Sequence, residues 1–376
     1  MCIRDSAGTV PDMTPGPGRD VPADDPMQQT QVFRRVPETP AATSLLPPPP
    51  EASPRRTRGR RRRPILTAAL VLLGLLIAYA GLLLALAFGS LDRVVAMPAT
   101  GDRPPASAGT TWLIVGSDSR EGLTDEQRSE LSTGDDDSRL TDTIMMLTTS
   151  PDGVPTLVSI PRDSLVTVPG FGEQKINSAY AFGGPALLVA TVELATGVRI
   201  DGYVEIGFDG FYQVVEAVDG VEVCLDEPMQ DERAGIDLPA GCQALGGADA
   251  LGYVRARYSD PNGDFGRVER QREFMAALAA RATSPAVVLN PARALPLAAA
   301  VGDALAVDTA TGPIDLARFG ITLVRATSES GQMLTVPFGG YATTAAGSVV
   351  LWDEAGAEAL FGSIRSGAPI PAELLP

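Results

Sequence analysis

The strongest constraint in the sequence is residues 65–88, a run of 24 residues without a charge. A helix of that length is about 36 Å long, enough to cross a hydrocarbon core of about 30 Å. Seven Arg residues occupy the nine positions 55–63 just before it. Because positive charge collects on the cytoplasmic side of membrane spans, the sequence predicts a single-pass protein of the cell membrane with a cytoplasmic N-terminus and an extracytoplasmic C-terminal part.

Two other interpretations of this segment stay open. Residues 85–87, Ala-Leu-Ala, have the shape of a signal-peptidase site, although the apolar run and the region before it are long for a signal peptide. An Arg cluster is also compatible with nucleic-acid binding. Its position beside an apolar span favours the topological role, and we expect no nucleic-acid partner.

Charge and proline content divide the chain into four segments. Residues 1–64 carry 11 Arg and 7 acidic residues and many Pro, which predicts a disordered cytosolic tail. Residues 65–88 form the predicted transmembrane helix, and 89–109, with three Pro, form a predicted linker. Residues 110–376 are long enough for one extracytoplasmic domain.

The pattern along 110–376 predicts the α/β class. Residues 111–116 form an apolar run typical of a buried strand, and 143–149 and 156–160 predict a hairpin around a Ser-Pro-Asp-Gly turn. Helical and strand patterns then alternate, with a strand predicted at 253–258 and a long helix at 266–283. We therefore expect a three-layer α/β/α domain with a central mixed sheet.

The composition excludes several chemistries and suggests one cross-link. The chain has no His, which excludes Ser-His-Asp and Cys-His hydrolases and His-ligated zinc. Cys224 and Cys242 both fall in the predicted exported part, where an even pair indicates a disulfide. Two free buried thiols are the alternative.

Two aspartates predict a metal site. Asp118 follows the first predicted strand, at the kind of strand end where α/β folds bind ligands, and Asp142 starts the next strand. Two carboxylates at adjacent strand ends form an oxygen-rich site that suits Mg²⁺, or Mn²⁺. Two ordinary loop aspartates are the alternative.

A second set of residues has the pattern of a phosphate clamp. Arg255 and Arg257 are two apart on the predicted strand, so they project to one face. Arg267, Arg270 and Gln271 share one face in the first turns of the predicted helix, where free N–H groups and the helix dipole attract anions. Arg binds phosphate through two parallel hydrogen bonds, so the set suits a pyrophosphate.

Several ordered motifs resemble the LytR–CpsA–Psr family. The resemblance is strong over about 110–285 and looser to 376. The motifs are Val115-Gly-Ser-Asp-Ser-Arg120, Thr141-Asp-Thr-Ile-Met145, Ser159-Ile-Pro-Arg-Asp-Ser164, Lys175-Ile-Asn177, Tyr253-Val-Arg-Ala-Arg257 and Gly263-Asp-x-x-Arg-x-x-Arg-Gln271. The chain has a single Lys, Lys175, and it stands where the family motif has Lys.

The resemblance implies a phosphotransferase of cell-wall biogenesis. Members of the family move a glycopolymer from a polyprenyl-pyrophosphate carrier to peptidoglycan, usually to the muramic acid 6-hydroxyl. The implied metal ligands are Asp118 and Asp142, and Asp142 and Asp264 are candidate general bases, with Arg267 in the catalytic set. The implied pyrophosphate-binding residues are Arg120, Arg162, Lys175, Arg255, Arg257, Arg267 and Gln271.

Two other functions are compatible with the same residues. A lipid-pyrophosphate hydrolase would use water in place of the sugar hydroxyl. A non-enzymatic envelope-binding or regulatory protein would bind the polymer without forming a product.

Overall fold

The computed structural model describes six stretches of the chain, namely residues 62–99, 103–118, 141–151, 153–256, 264–328 and 330–375. Residues 1–61 of the predicted disordered tail lie outside the described residues, as do Arg120 and Arg257, whereas the last three residues of that tail, 62–64, begin a helix. Asp264 is described as part of a helix, without its side chain.

The described residues contain nine α-helices and fifteen strands. The helices are α1 Arg62–Gly89, α2 Ser178–Thr196, α3 Phe208–Ala217, α4 Gly247–Arg255, α5 Asp264–Ala282, α6 Pro285–Val288, α7 Pro291–Ala304, α8 Pro313–Ala326 and α9 Glu354–Ser366. The strands are β1 Asp92–Val94, β2 Thr110–Ser117, β3 Thr141–Thr149, β4 Pro155–Ile160, β5 Leu165–Val168, β6 Gly172–Lys175, β7 Gly202–Ile206, β8 Val221–Leu225, β9 Met229–Asp231, β10 Ile236–Leu238, β11 Gly241–Leu245, β12 Leu305–Asp308, β13 Gln332–Thr335, β14 Phe338–Thr344 and β15 Gly347–Trp352.

Seven strands form the central sheet, in the order β1-β12-β7-β2-β3-β4-β13. The pairs β1–β12, β2–β7 and β4–β13 are parallel, whereas β12–β7, β2–β3 and β3–β4 are antiparallel. The carboxyl ends of β2, β4, β7 and β13 therefore meet the amino end of β3 at one edge of the sheet. This edge carries the candidate site.

Helices cover both faces of the sheet. On one face Leu113 and Val115 of β2 pack with Leu188 of α2 and Phe361 of α9. On the other face Trp112 of β2 and its neighbours pack against α8. A further apolar cluster joins α3 to α7, with Phe274 of α5 at 2 % exposure. The α/β class and the central mixed sheet are thus confirmed.

The described residues include two helices long and apolar enough to cross a membrane, within α1 and α2. The most apolar window of α1, in 64–89, has none of its residues buried. In α2, by contrast, Leu188, Val189 and Val192 are fully buried against the sheet. The apolar residues of α2 are thus explained by core packing, which leaves α1 as the candidate membrane anchor.

The predicted linker 89–109 is only in part a linker. Its residues 92–94 form β1, an edge strand of the central sheet paired with β12. Asp308 at the end of β12 accepts hydrogen bonds from the backbone N–H groups of Ala96 and Met97, at 3.0 and 3.3 Å. Arg103 forms a buried ion pair with Glu193 of α2 at 2.6 Å. The sequence analysis did not predict β1, because an edge strand of three residues is too short to show a hydrophobic periodicity.

The predicted strand 253–258 is wrong over its described part. Helix α4 runs through Tyr253 to Arg255, and the N–H of Ala256 donates to Gly252 O at 2.9 Å. Ala250, Leu251 and Tyr253 are buried, a helical spacing that packs α4 against its neighbours. Arg255 therefore lies at the end of a helix and not on a strand.

The predicted disulfide is confirmed. Cys224 of β8 and Cys242 of β11 lie directly opposite each other in an antiparallel pair and are bonded through their sulfurs. The cross-link closes a hairpin at the rim of the helical cluster formed by α3, α4 and α5.

Removing this cross-link is expected to lower the free energy of unfolding by about 3 kcal/mol, because the bond limits the unfolded chain across a sequence separation of 18. The double variant Cys224→Ala, Cys242→Ala should unfold at lower urea than the native protein. A reducing agent should lower the urea concentration at the unfolding midpoint of the native protein, but not that of the double variant. Equal midpoints for both proteins without reductant would contradict the expectation.

Candidate functional site

The two predicted metal ligands lie at the same edge of the sheet. Asp118 directly follows β2, and Asp142 is the second residue of β3. The two strands are antiparallel neighbours, with Ser117 paired to Thr141 after a register shift at Gly116. The topology therefore places both aspartates at one edge of the sheet, as the sequence analysis expected.

Arg162 is held beside Asp142 by the β3–β4 hairpin. The register pairs Ile144 with Ile160, so the residues two positions further out, Asp142 and Arg162, face each other across the hairpin. A guanidinium nitrogen of Arg162 forms an ion pair with Asp142 Oδ1, and the Arg162 side chain is 17 % exposed. A partly buried Arg fork beside a carboxylate is pre-organised for an anion.

Asp163 joins the cations of this edge. Its Oδ1 accepts a hydrogen bond from Lys175 Nζ at 2.8 Å, and its Oδ2 lies 3.5 Å from Arg162 Nε. Lys175 is the last residue of β6, whose hairpin partner β5 begins two residues after Asp163. We call Asp142, Arg162, Asp163 and Lys175 the charged cluster.

The charges of the cluster set the pKa of Asp163. Burial raises this pKa, but the hydrogen bond from Lys175 and the charges of Arg162, Lys175 and Arg267 lower it by more. The net pKa lies below the ordinary value of 3.8. The carboxylate is therefore stabilised in its charged form by the same cations that are candidates for binding phosphate.

This lowered pKa predicts a pH-dependent contribution to stability. A carboxyl whose pKa falls on folding stabilises the protein above its unfolded pKa, and the stabilisation is lost as the pH falls through the folded value. Asp163→Asn should therefore be less stable than the native protein at pH 7, with a smaller difference at pH 3. Urea unfolding of both proteins at the two pH values measures this, and a pH-independent difference would contradict it.

The first half of α5 brings further Arg side chains to this edge. Arg267 is 3 % exposed, and its charge acts on Asp163. Arg270, 7 % exposed, donates from Nη2 to Ala256 O at 2.5 Å. Arg272 Nη1 lies 3.3 Å from Thr335 Oγ1, at the end of β13. Arg267 thus lies near the cluster, whereas Arg270 links α5 to the end of α4.

Arg255 and Gln271 lie at an apolar pocket. The Arg255 guanidinium carbon is 4.8 Å from the centre of the Phe208 ring, a cation–π contact. Gln271 donates from Nε2 to Val254 O at 3.2 Å. Both residues and Asp142 line the pocket, which encloses about 780 Å³ of empty space including its open mouth.

The remaining wall of the pocket is mostly apolar. It lies between the sheet and helices α3, α4 and α5, and its polar lining residues include Asp142, Arg255 and Gln271. The apolar lining residues are Ile114, Met145, Ile206, Phe208, Phe211, Leu251, Val254, Phe274, Met275 and Leu278. Asp142 belongs both to the pocket and to the charged cluster, so the pocket and the cluster are contiguous.

The donor atoms at this edge fit Mg²⁺. Asp118 and Asp142 offer carboxylate oxygens, and beside them the buried hydroxyls of Ser117 and Thr141 make no hydrogen bond with any described residue. No group of three or more Asp, Glu or Cys side chains suited to a metal occurs in the described ranges. Mg²⁺ commonly uses one or two carboxylates together with substrate phosphates, and two carboxylates meet that need.

Sequence analysis missed two polar groups. Asp163 stood in a quoted motif without a role, although its position beside Arg162 was a usable signal. Glu205 of β7, 8 % exposed, accepts hydrogen bonds from the hydroxyls of Tyr180 and Tyr203, each at 2.6 Å. Burial beside Glu205 raises the pKa of Tyr203. No local pattern signals this group, because its members come from α2 and β7.

Two curated proteins of cell-wall biosynthesis are similar to this chain in sequence. LcpB of Corynebacterium glutamicum, described as a probable cell wall biosynthesis protein, is 50 % identical over 277 residues, 73 % of this chain and 65 % of LcpB. TagU of Enterococcus faecalis, described as a polyisoprenyl-teichoic acid–peptidoglycan teichoic acid transferase, is 41 % identical over 165 residues, 43 % of this chain and 54 % of TagU. The chain thus spans between about half and two thirds of these relatives.

The fold and the family agree. The structure of a LytR-Csp2A-Psr enzyme from Actinomyces oris superposes with a TM-score of 0.58 at 24 % identity, covering 73 % of this chain and 96 % of that one. This likeness concerns the fold alone. The LytR_cpsA_psr family model matches residues 100–360, well over half of the sequence. The chain therefore belongs to the LytR–CpsA–Psr family.

Proposed function

We propose that this protein transfers a glycopolymer from a polyprenyl-pyrophosphate carrier to peptidoglycan. The observation that supports this best is the charged cluster at the head of an apolar pocket, joined through Asp142. A substrate that matches both parts has an anionic phosphate group and a long apolar chain. A polyprenyl pyrophosphate has that chemistry.

The net charge of the domain does not attract an anionic pyrophosphate, so in the proposal a few clustered cations do. Residues 89–376 carry 19 basic and 39 acidic groups, so the overall field of this part repels an anion. Arg162, Lys175 and Arg267 instead place three cations at one edge beside the carboxylates of Asp142 and Asp163, where partial burial strengthens their short-range attraction for an anion. In the proposal Arg255 contributes from the pocket wall, and Arg120 and Arg257 are further ligands of the pyrophosphate.

The proposed reaction exchanges one phosphorus–oxygen bond for another. The oxygen of an acceptor sugar hydroxyl attacks the phosphorus that carries the polymer. The bond from that phosphorus to the bridging oxygen breaks, and polyprenyl phosphate leaves with the electron pair. Arg162 and Lys175 stabilise the charge that develops on the phosphoryl oxygens and on the leaving phosphate. The hydroxyl proton passes to a carboxylate, for which Asp142 and Asp264 are the candidates.

In the proposal Asp118 and Asp142 hold a divalent cation, Mg²⁺ or Mn²⁺. Such an ion, when bound, neutralises charge on the pyrophosphate as a Lewis acid. The residues of the chain then orient the donor: the pocket holds the lipid, and the Arg residues fix the phosphates.

Helix α1 is the proposed membrane anchor. Its apolar segment is long enough to span the bilayer, and the Arg residues before it favour a cytoplasmic N-terminus. The catalytic domain would then lie on the outer side of the cell membrane. This location gives it access to both a membrane-held donor and peptidoglycan. The named activity of TagU supports the same pair of substrates.

The test uses the full chain in detergent with Mg²⁺ and a polyprenyl-pyrophosphate-linked oligosaccharide whose sugar part is radiolabelled. The reaction is run with and without peptidoglycan. We expect the label to become attached to peptidoglycan when the acceptor is present. Release of oligosaccharide phosphate alone, even with the acceptor, would support the hydrolase, in which water takes the place of the sugar hydroxyl. Binding of the oligosaccharide without any product would support a non-enzymatic envelope protein. Either of these two results would overturn the proposed transfer.

A further inference from the structure

Four aromatic side chains in the described ranges are more than a third exposed, and they form two ring pairs. Phe171 and Phe182, 49 % and 45 % exposed, are stacked with centroids 4.6 Å apart and planes at 22°. Phe338 and Tyr341, 44 % and 59 % exposed, meet edge to face at 4.9 Å. Grouped, exposed apolar side chains mark binding surfaces more often than single ones do.

The stacked pair is attached to the charged cluster through short connections. Phe171 lies in the turn between β5 and β6, and β6 ends at Lys175. Phe182 lies in α2, which begins three residues after Lys175. Since a strand rises about 3.3 Å per residue, the turn is about 13 Å from Lys175 along β6.

The edge-to-face pair is connected to the same cluster from another side. Phe338 follows β13 by three residues, and Thr335 at the end of β13 contacts Arg272. The hairpin partner β15 is bonded to the cluster, because the N–H of Val350 donates to Asp163 O at 2.9 Å. The edge-to-face pair is therefore connected to the cluster through the neighbouring strand β15, and the stacked pair through β6.

The position of α1 argues against a lipid as the partner of these rings. Helix α1 packs on α7 and α8, with Tyr79 donating its hydroxyl hydrogen to Val288 O at 3.1 Å. Exposed aliphatic side chains lie beside it, including Leu289 at 69 % exposure. The ring pairs lie on other elements, namely the β5–β6 hairpin, α2 and β14. A ring face offers negative charge density to the C–H groups of a sugar, which a pyranose presents on one side.

We propose that the Phe171–Phe182 pair binds a sugar ring of the acceptor glycan, with Phe338–Tyr341 as a second contact for the same chain. This inference rests on the proposed function for the identity of the acceptor. Stacking of the glycan on the rings positions its hydroxyl toward the charged cluster. These residues bind and position the acceptor, and they take no part in bond formation.

Binding is tested without any donor. The full chain in detergent is titrated with soluble, uncross-linked peptidoglycan glycan strands that carry no polymer. Phe171→Ala and Phe182→Ala should each raise the Kd about tenfold, as expected for the loss of one stacking contact. Phe182→Tyr keeps a ring and should bind like the native protein, whereas Phe182→Leu keeps apolar bulk and should bind like Phe182→Ala. Leu194→Ala removes an exposed apolar side chain from the same helix and should change nothing.

The results separate this inference from the proposed function. If the ring variants lose glycan binding but the native protein shows no transfer, the aromatic site stands and the transferase fails. If the ring variants bind the strands as tightly as the native protein, the inference is overturned even where transfer occurs. Full binding by Phe182→Leu would also overturn it, because apolar contact rather than ring stacking would then suffice.

Discussion

Replacing Arg162 with Ala is expected to lower kcat/KM for polymer transfer about 10²–10³-fold, the usual effect of losing one preorganised donor to developing charge. The Arg162 guanidinium lies between Asp142 and Asp163 at the head of the apolar pocket. Its removal takes away positive charge at the phosphates and leaves two carboxylates that repel them. The measurement is the initial rate at which the labelled oligosaccharide is transferred to peptidoglycan, with peptidoglycan at a saturating concentration.

Two further variants show whether charge or geometry is lost. Arg162→Lys keeps the charge without the planar fork, so its activity should lie between those of the native protein and Arg162→Ala. Arg318→Ala removes a solvent-exposed Arg of α8 and should retain native activity. Far-ultraviolet circular dichroism checks that each variant is folded. Native kcat/KM in folded Arg162→Ala would contradict the proposed role of the cluster.

Removal of divalent cations is expected to abolish transfer, and added Mg²⁺ or Mn²⁺ to restore it. The proposed site has two carboxylates, and no group of three or more suitable side chains occurs among the described residues, so in the proposal substrate phosphates and water would complete the coordination. Asp118→Ala and Asp142→Ala should each lose transfer about 10²-fold or more, and added Mg²⁺ should not rescue them. Activity is measured after chelation, then against Mg²⁺ concentration.

The control for this experiment is a carboxylate that belongs neither to the charged cluster nor to the lining of the apolar pocket. Asp303 lies exposed on α7, and Asp303→Ala should show the native dependence on Mg²⁺. Full activity of the native protein after exhaustive chelation would contradict the metal proposal. It would leave the Arg residues and Lys175 as the groups that stabilise the developing charge.

The parts of the fold that depend on local patterns were predictable from the sequence. Strands β3 and β4 followed from two apolar runs around a Gly-containing turn, and Gly153 does adopt a positive φ of 82°. The pairing of Asp142 with Arg162 follows from that hairpin register. The disulfide was predictable because two cysteines in a part of the chain predicted to be exported have few alternatives to pairing.

The parts that depend on distant contacts were not predictable. The sequence around Tyr253 is compatible with both a strand and a helix, and its packing against α3 and α5 decides for the helix. The bond from Val350 to Asp163 joins residues far apart in the chain, so no local pattern could show that β15 supports the cluster. The hydrogen bond from Tyr180 to Glu205 likewise joins two separate elements, α2 and β7, so no local pattern could show it.

The central claim is tested most directly by identifying the bond that the protein makes. The full chain is incubated with a polyprenyl-pyrophosphate-linked oligosaccharide, Mg²⁺ and peptidoglycan, and the digested product is analysed by mass spectrometry. The account predicts a muropeptide that carries the oligosaccharide through one phosphodiester, with one polyprenyl phosphate released per bond. Oligosaccharide phosphate in solution with unmodified muropeptides would contradict it.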